Sequence, residues 1–449
     1  MIEPIKKAIL LVGGRGLRMK QFSYDANKTV VSVLGKPNLV NLMHQLHKAG
    51  VRNFFLDCHY QAHSIVKAVT AGQFGHDVKV DYCISDELRP DGESIRRIVQ
   101  NKKAFPDQHE FFWVVSGDVF YPTADLGGFE TAISRARESN KEILGGIGFV
   151  KRPQHYMINR EPSAIIDGSG LIKEFTKHRL ETVQEAERVW DLSGVGAIKS
   201  ETNTEHKLPM NTSAYIISKE LLSRVGRPPV GAEEEYDLGK FVFTHPRAMG
   251  KVYGHIFPPF MEDEFIYHNI TEPEDVWRIQ YTYLMARRSQ LKEHYNESTN
   301  SWHAANVNID RTGVVKNSFL GPNVTIGENA ALNYCIVLGD CWVENVELNR
   351  VVIFPDTWIN YRSSISLRAR YELIDSLLGG RSGVPTRIDL SHPLPQFYFD
   401  KALLVPGDNG IILPDPLDLS EEDLTLPGKA FSIDKPNKKD GVQTDLNFK

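Results

Sequence analysis

Over the first 150 positions, apolar residues arrive in two rhythms. The short runs "KAILLV", "NFFLDC", "VKVDYCIS", "FFWVVSGD" and "ILGGIGFV" read as strands. Between them, "LVNLMHQLHKAG", "QAHSIVKAVTAG", "ESIRRIVQNKKAF" and "LGGFETAISRARES" repeat apolar residues at helical spacing. Strand and helix in strict turn predict an α/β domain, a mostly parallel sheet with helices on both faces. Such sheets bind ligands beyond the carboxyl ends of their strands. The glycines after the first strand fall at such an end, and so does "SGD" at 116–118.

Residues 151 to about 290 are more mixed, with strand-like "LIKEFTK" and "SAYIIS" and a helical run from Pro273 to about Leu291. They suit a substrate-side subdomain on the same sheet. The rhythm then changes again. Val314, Leu320, Ile326, Leu332 and Leu338 are spaced by six, and Val346, Val352 and Trp358 resume that step after a slip of two. A period of six predicts one short strand per face of a three-sided parallel β-helix. From Ile388 the chain turns rich in proline, charge and small polar residues. The expected division is therefore 1–295, 300–385 and an extended, partly disordered tail, 386–449.

A chain of 449 residues exceeds what one hydrophobic core usually supports, which agrees with several domains. A formal charge of -5 provides no basic field for nucleic acid or an anionic membrane, so any anionic ligand must be met by local cations. No window reaches the roughly 18 apolar residues of a spanning helix, and the N-terminal apolar run is too short for a signal sequence. The four cysteines form no CxxC pair and sit in strand-like surroundings. They read as buried reduced thiols of a cytoplasmic protein.

Gly13, Gly14 and Gly16 can bring backbone N–H groups to phosphate oxygens, with Arg18 adding a charged fork. The loop lacks the GK[ST] of a P-loop and the last glycine of a dinucleotide fingerprint. Together with Lys28, "GKP" at 35–37 and the amphipathic stretch ending at Gly50, it resembles the opening GGxGxRLxPLTxxxPKP of the sugar-1-phosphate nucleotidylyltransferases. Gln21, Asn27 and Thr29 stand where that pattern has prolines, which leaves Lys28 on a less restrained tether. Further along, "PDGESIRRI" keeps Gly92 of the family's GTAxA turn, and "VVSGDVFYPTADL" is similar to its GDxxxxxDL segment. "LIKEFTKHR" keeps Phe175 and Lys177 but has Thr176 for the glutamate, and "PMNTSAYIIS" keeps Asn211 and Tyr215. "FIYHNITEPEDVWRI" resembles WxDIGTPEDY, which sets Asn269 at an aspartate position.

The resemblance implies a Rossmann-like catalytic domain followed by a left-handed parallel β-helix, as in the ADP-glucose and GDP-mannose branches. It also implies that a sugar-1-phosphate, or a related cyclitol phosphate, attacks the α-phosphorus of an NTP and releases pyrophosphate. On that pattern the glycines, Gly92 included, and Arg18 hold the nucleotide, and Lys28 reaches the α-phosphate. Lys177 and Asn211 meet the sugar phosphate, while Asp118 and Asn269 hold Mg²⁺, with Glu262, Asp263 and Glu264 as upstream alternatives. The architecture favours GTP or ATP and a homo-oligomer formed through the β-helix. The changes at Thr176 and Asn269 keep a second reading open, a catalytically weak regulatory protein that binds nucleotide sugars on the same fold. Acyl transfer, found in other hexapeptide-repeat proteins, lacks a coil histidine here, since His303 precedes the coils and the next histidine is His392.

Overall fold

A computed structural model describes residues 4–19, 26–34, 36–72, 74–121, 124–153, 164–175, 207–229, 236–258, 268–271, 273–286, 294–349, 351–353 and seven short strands between 357 and 413. The chain divides into two compact units, Met1–Gln290 and Leu291–Lys449.

In the first unit the predicted strands form β1 (Lys7–Leu11), β2 (Asn53–Cys58), β3 (Lys79–Ile84), β4 (Phe111–Ser116) and β6 (Gly145–Pro153). A two-residue strand, β5 (Val119–Phe120), follows β4, and β7 (Lys207–Ser218), β8 (Val252–Ile256) and β9 (His268–Asn269) come later. Seven of them make one sheet in the order β8–β6–β7–β4–β1–β2–β3. Only β7 runs against its neighbours, so the sheet is mixed and mostly parallel.

Both faces of the sheet are covered, which is why its strands read as unbroken apolar runs. Ala8, Leu10, Phe54, Leu56, Trp113 and Val115 point into one core, shared with Leu42, Leu46 and Phe129. Ile9, Phe55, Phe112 and Val114 alternate into the other, with Ile95, Ile98 and Leu221. The first core takes α1 (Asn38–Lys48), α2 (Ala62–Ala71) and α4 (Leu126–Ser139); the second takes α3 (Asp91–Val99) and α5 (Lys219–Val225). Helix starts follow local chemistry. Asp125 caps α4 by accepting from the Gly128 N–H at 2.7 Å, and α6 (Pro273–Ala286) opens on a proline, whose missing N–H costs nothing there. Among the described residues, no helix is long and apolar enough to cross a membrane. All four cysteines are free, and burial pushes the Cys58 thiol up to about 12 and that of Cys83 to about 11.

The second unit stacks short strands into three sheets, each strand parallel to one a coil later, as in Thr325↔Trp342 and Ile336↔Val352, except that Tyr295–Asn296 and Ile412–Leu413 pair antiparallel at the ends of one sheet. The inward column is Val315, Leu320, Ile326, Leu332, Val337, Val343, Leu348 and Ile353, all buried together. The uniform step of six is therefore corrected. Val314 is 46% exposed and its neighbour Val315 points inward, and the step is five or six. Corner geometry sets the difference. A residue of left-handed backbone turns each corner, at Asn317, Asn323, Asn329, Tyr334, Asp340 and Asn345. Where it falls two places after the inward residue the step is five, and where it falls three places after, six. Asparagine tolerates that backbone, and its amide then bonds the coil above: Asn306 donates to Asn323 at 2.9 Å, Asn323 to Asp340 at 2.9 Å and Asn329 to Asn345 at 3.1 Å. Trp358 lies on a strand whose side chains are outside the described residues, as are residues 414–449 of the expected tail.

The inward column makes a direct test. Leu332→Ala should cost the second unit about 2–5 kcal/mol in chemical denaturation, whereas Val314→Ala should stay within about 0.5 kcal/mol. Equal losses would return Val314 to the interior.

Candidate active site

The glycine loop leaves β1 and is locked from below by a short turn at Lys28–Val30. Gly16 has φ +63°, and a Cβ there would lie 3.1 Å from the Cβ and Cδ of Lys28, so glycine is what lets the lysine stem pass. Asn27, which replaces an expected proline, is fully buried. Its amide donates to the carbonyls of Val12 at 2.8 Å, Tyr60 at 2.9 Å and Gly14 at 3.3 Å. Its carbonyl accepts from the Thr29 N–H and hydroxyl at 3.0 and 2.9 Å. The looser tether expected for Lys28 is thereby overturned. Where a proline would restrict one dihedral, Asn27 ties the segment to the loop at Val12 and Gly14 and to Tyr60, and the two bonds from Thr29 brace it internally.

Lys28 Nζ sits 2.5 Å from Asp118 Oδ2, and the Ser116 hydroxyl donates to Asp118 Oδ1 at 2.5 Å. Asp118 is only 8% exposed. Burial alone would raise its carboxyl, but the Lys28 charge and the bonds from Lys28 and Ser116 outweigh it and hold the group below the usual carboxylate range. Asn38, at the start of α1 and completely buried, donates its amide to the carbonyls of Gly117 at 3.1 Å and Val119 at 2.9 Å, on either side of Asp118. β9 pairs antiparallel with β5 so that Asn269 faces Val119, and the Ile270 N–H donates to the Asp118 carbonyl at 2.8 Å. The chain thus brings Asn269 beside Asp118.

The other expected residues are placed as follows. Arg18 is exposed on a short turn at 17–19, whose base is fixed by buried Met19. Gly92 is the second residue of α3. Its N–H donates to the Tyr236 carbonyl at 2.8 Å, and a Cβ there would lie 2.6 Å from that oxygen. Asn211 is buried at the irregularity of β7; its amide donates to the Tyr215 hydroxyl at 2.8 Å and its carbonyl accepts from the Ser213 N–H at 3.0 Å. Lys177, Thr176, Glu262, Asp263 and Glu264 lie outside the described residues.

Two acids were missed by sequence reasoning. Asp91, one residue before Gly92, is pushed up to about 7 by burial and then by the nearby carboxylates of Asp237, Asp57 and Asp118, with Lys28 pulling the other way. Burial likewise raises Asp57, against a bond from Ser94 and the charges of Arg89 and Arg97. In sequence, Asp91 looks like an ordinary acid in a helix's first turn, and only its position next to Gly92 marks it.

Glycine loop, buried acid and lysine at adjoining strand ends of a mostly parallel sheet define a nucleotide-handling α/β domain. Residues 7–169 match the nucleotidyl transferase family model, so the N-terminal part of the chain is similar to that family. The chain is 25% identical over 312 residues to the zebrafish (Danio rerio) mannose-1-phosphate guanylyltransferase catalytic subunit beta, covering 69% of this chain and 72% of that one. It is 23% identical over 381 residues to a probable mannose-1-phosphate guanylyltransferase 2 of Arabidopsis thaliana, covering 83% and 91%. Among solved structures, that of HddC from Yersinia pseudotuberculosis aligns with a TM-score of 0.43 at 20% identity, over 62% of this chain and 99% of that one.

The raised acid carries a pH signature. An acid whose folded value, about 7, exceeds its ordinary 3.8 favours the folded state below 3.8 and loses that contribution as pH rises to about 7. Asp91→Asn should therefore gain stability over the parent between pH 4 and pH 7, with the gain level above that, in urea denaturation across pH. A constant difference at every pH would remove Asp91 from the carboxylate cluster.

Proposed function

We propose that this chain transfers a nucleoside monophosphate from an NTP to a sugar-1-phosphate, forming a nucleoside-diphosphate sugar and pyrophosphate. The Lys28–Asp118 pair beside the glycine loop carries the reading. Two polyanions must meet in this reaction, and the transition state spreads negative charge over phosphoryl oxygens, so catalysis is chiefly positioning and electrostatics. The loop amides of Gly13, Gly14 and Gly16, with Arg18, suit the β- and γ-phosphates. Lys28, aimed across the loop by Asn27, suits the α-phosphate, and Gly92 at the start of α3 lies on the nucleoside side. Lys177 is assigned to the incoming sugar phosphate. Asn211, whose amide is spent on Tyr215, shapes that side through the Tyr215 hydroxyl.

The oxygen donors fit Mg²⁺: Asp118 is a buried carboxylate held below the usual range, and Asn269, which carries an amide oxygen, lies beside it on the paired strand. Among the described residues, no group of three or more His, Cys, Asp or Glu can hold a metal. The ion would therefore rely on phosphate oxygens and water for the rest of its shell, as Mg²⁺ commonly does. Bound there, it supplies positive charge to the α-phosphate and the attacking oxygen.

GTP is the favoured triphosphate and mannose-1-phosphate the favoured acceptor, because the similar proteins bear guanylyltransferase names. We assign residues 1–295 to catalysis and read the stacked coils at 300–385 as a left-handed β-helix that joins copies into a homo-oligomer. The free thiols suit the cytoplasm. The regulatory reading rests on Asn269, an amide in place of a metal-binding charge.

A matrix of NTPs and sugar-1-phosphates with Mg²⁺, read by pyrophosphate release, separates the two. Turnover supports transfer, and silence with nucleotide-sugar binding intact supports regulation. In the active case Asp118→Asn should lower kcat by roughly 10²–10³-fold with the circular dichroism spectrum unchanged, and an unaltered kcat would remove Asp118 from the chemistry. Asn269→Asp should lower the Mg²⁺ concentration needed for half-maximal rate several-fold. An unchanged Mg²⁺ dependence would move the second ligand to Glu262, Asp263 or Glu264.

A further inference from the structure

Val343 points into the inward column of the second unit, so its neighbours Trp342 and Glu344 both face outward on the same short strand. Trp342 is 45% exposed and is the largest of the exposed apolar side chains among the described residues. Register sets Thr325 one coil before it and Trp358 one coil after. The chemistry described so far makes no use of this face.

The preceding coil is shaped to receive both side chains. Gly327 follows the inward Ile326 and has none of the left-handed backbone that would call for glycine. Yet a Cβ there would lie 2.7 Å from Glu344 Cβ, 2.9 Å from Glu344 Oε2 and 3.4 Å from Trp342 Nε1. Space, rather than backbone freedom, is what this glycine provides. The carboxylate and the indole N–H converge on the point it leaves open, an acceptor and a donor together at the edge of an exposed aromatic face. Among the described residues, neither side chain has a hydrogen bond or an ion pair.

We infer that this face of the second unit binds a pyranose ring, free or within an oligosaccharide, through Trp342 and Glu344. One side of a pyranose carries C–H groups polarised by the neighbouring oxygens, and these meet the negative face of an indole favourably. Its edge carries vicinal hydroxyls, each both donor and acceptor, so one donates to Glu344 while its neighbour accepts from the indole N–H. Other ligands satisfy only part of the site. A nucleic-acid strand or polyphosphate sets its charge against Glu344. A quaternary ammonium ion stacks on the indole and neutralises the carboxylate but gives the N–H no acceptor. An aliphatic protein surface covers the ring and leaves both polar groups unpaired. A sugar ring uses the face, the N–H and the carboxylate at once. Trp358, in register one coil on and so about 4.8 Å further along the stack, gives the column a second tryptophan, which favours a chain of rings over a single one.

Calorimetry and saturation-transfer NMR of the full chain with methyl α-D-mannoside, mannotriose and choline test this. The parent protein should bind both sugars, the trisaccharide more tightly, with magnetisation passing chiefly to the C–H protons of one ring face. Trp342→Ala should weaken mannotriose binding roughly 2–10-fold. Glu344→Gln, which keeps the shape and removes the charge, should weaken it severalfold, and both variants should keep the parental sedimentation coefficient. Sugar binding that both variants leave at parental strength belongs to another part of the chain and overturns the assignment. Choline binding without sugar binding overturns it as well. So does a Trp342→Ala protein that sediments as a smaller species when the parent binds no sugar, since the face is then a contact between copies. Should Trp342→Ala not fold, Glu344→Gln decides.

Discussion

An ionised carboxylate at 8% exposure must have a countercharge in every state the protein visits. Asp118 has one in Lys28, and most of the first unit's local architecture serves to keep these two groups together. Gly16 clears the path of the lysine stem, Asn27 ties the segment before it to the loop, Asn38 grips the carbonyls flanking the acid, and Ser116 takes its second oxygen. Apart from the local bond from Ser116, these contacts join segments distant in sequence. The pair is therefore a tertiary constraint on the strand ends as well as a chemical group within them.

Different parts of this arrangement were legible to different degrees. The α/β unit could be read because strands buried on both faces leave unbroken apolar runs, and the covering helices leave helical spacing between them. The neighbourhood of Asp118 and Asn269 was legible from strand-end position and from the Pro273–Asp275 anchor, since both are features of local sequence. Asn27 and Asn38 were not. An asparagine that binds carbonyls of segments distant in sequence looks, in one dimension, like any polar residue of a turn or helix start. Asp57 and Asp91 were hidden for a similar reason, because their raised values come first from burial by other segments and, for Asp91, then from the carboxylates of Asp237, Asp57 and Asp118.

The coils illustrate a finer limit. The stacked strands followed from periodicity, but the inward column did not, because a constant step of six ignores how each corner turns. The corner residues carried the missing information: the spacing of Asn317, Asn323 and Asn329 marks where the backbone becomes left-handed and so where a residue is gained or lost. Amide ladders between successive corners then make register a matter of hydrogen bonding as much as of apolar burial.

On the proposed reading, the Lys28–Asp118 pair also orders the steps of binding. A triphosphate that draws Lys28 toward its α-phosphate strips Asp118 of its countercharge while adding negative charge a few ångströms away. Both changes would push that carboxyl upward, and in a buried position the cost is removed only by another cation. A divalent cation held by Asp118 would supply that charge, so that on this reading nucleotide and cation would enter together. Asn269 sharpens this requirement. With a second carboxylate in its place, the site would attract a cation on its own account. With an amide there, a single acid already neutralised by Lys28 offers little to an ion until the phosphates arrive. The same substitution that weakens metal binding in isolation thus makes it conditional on the nucleotide, a property as useful to a sensor of nucleotide sugars as to an enzyme that makes them.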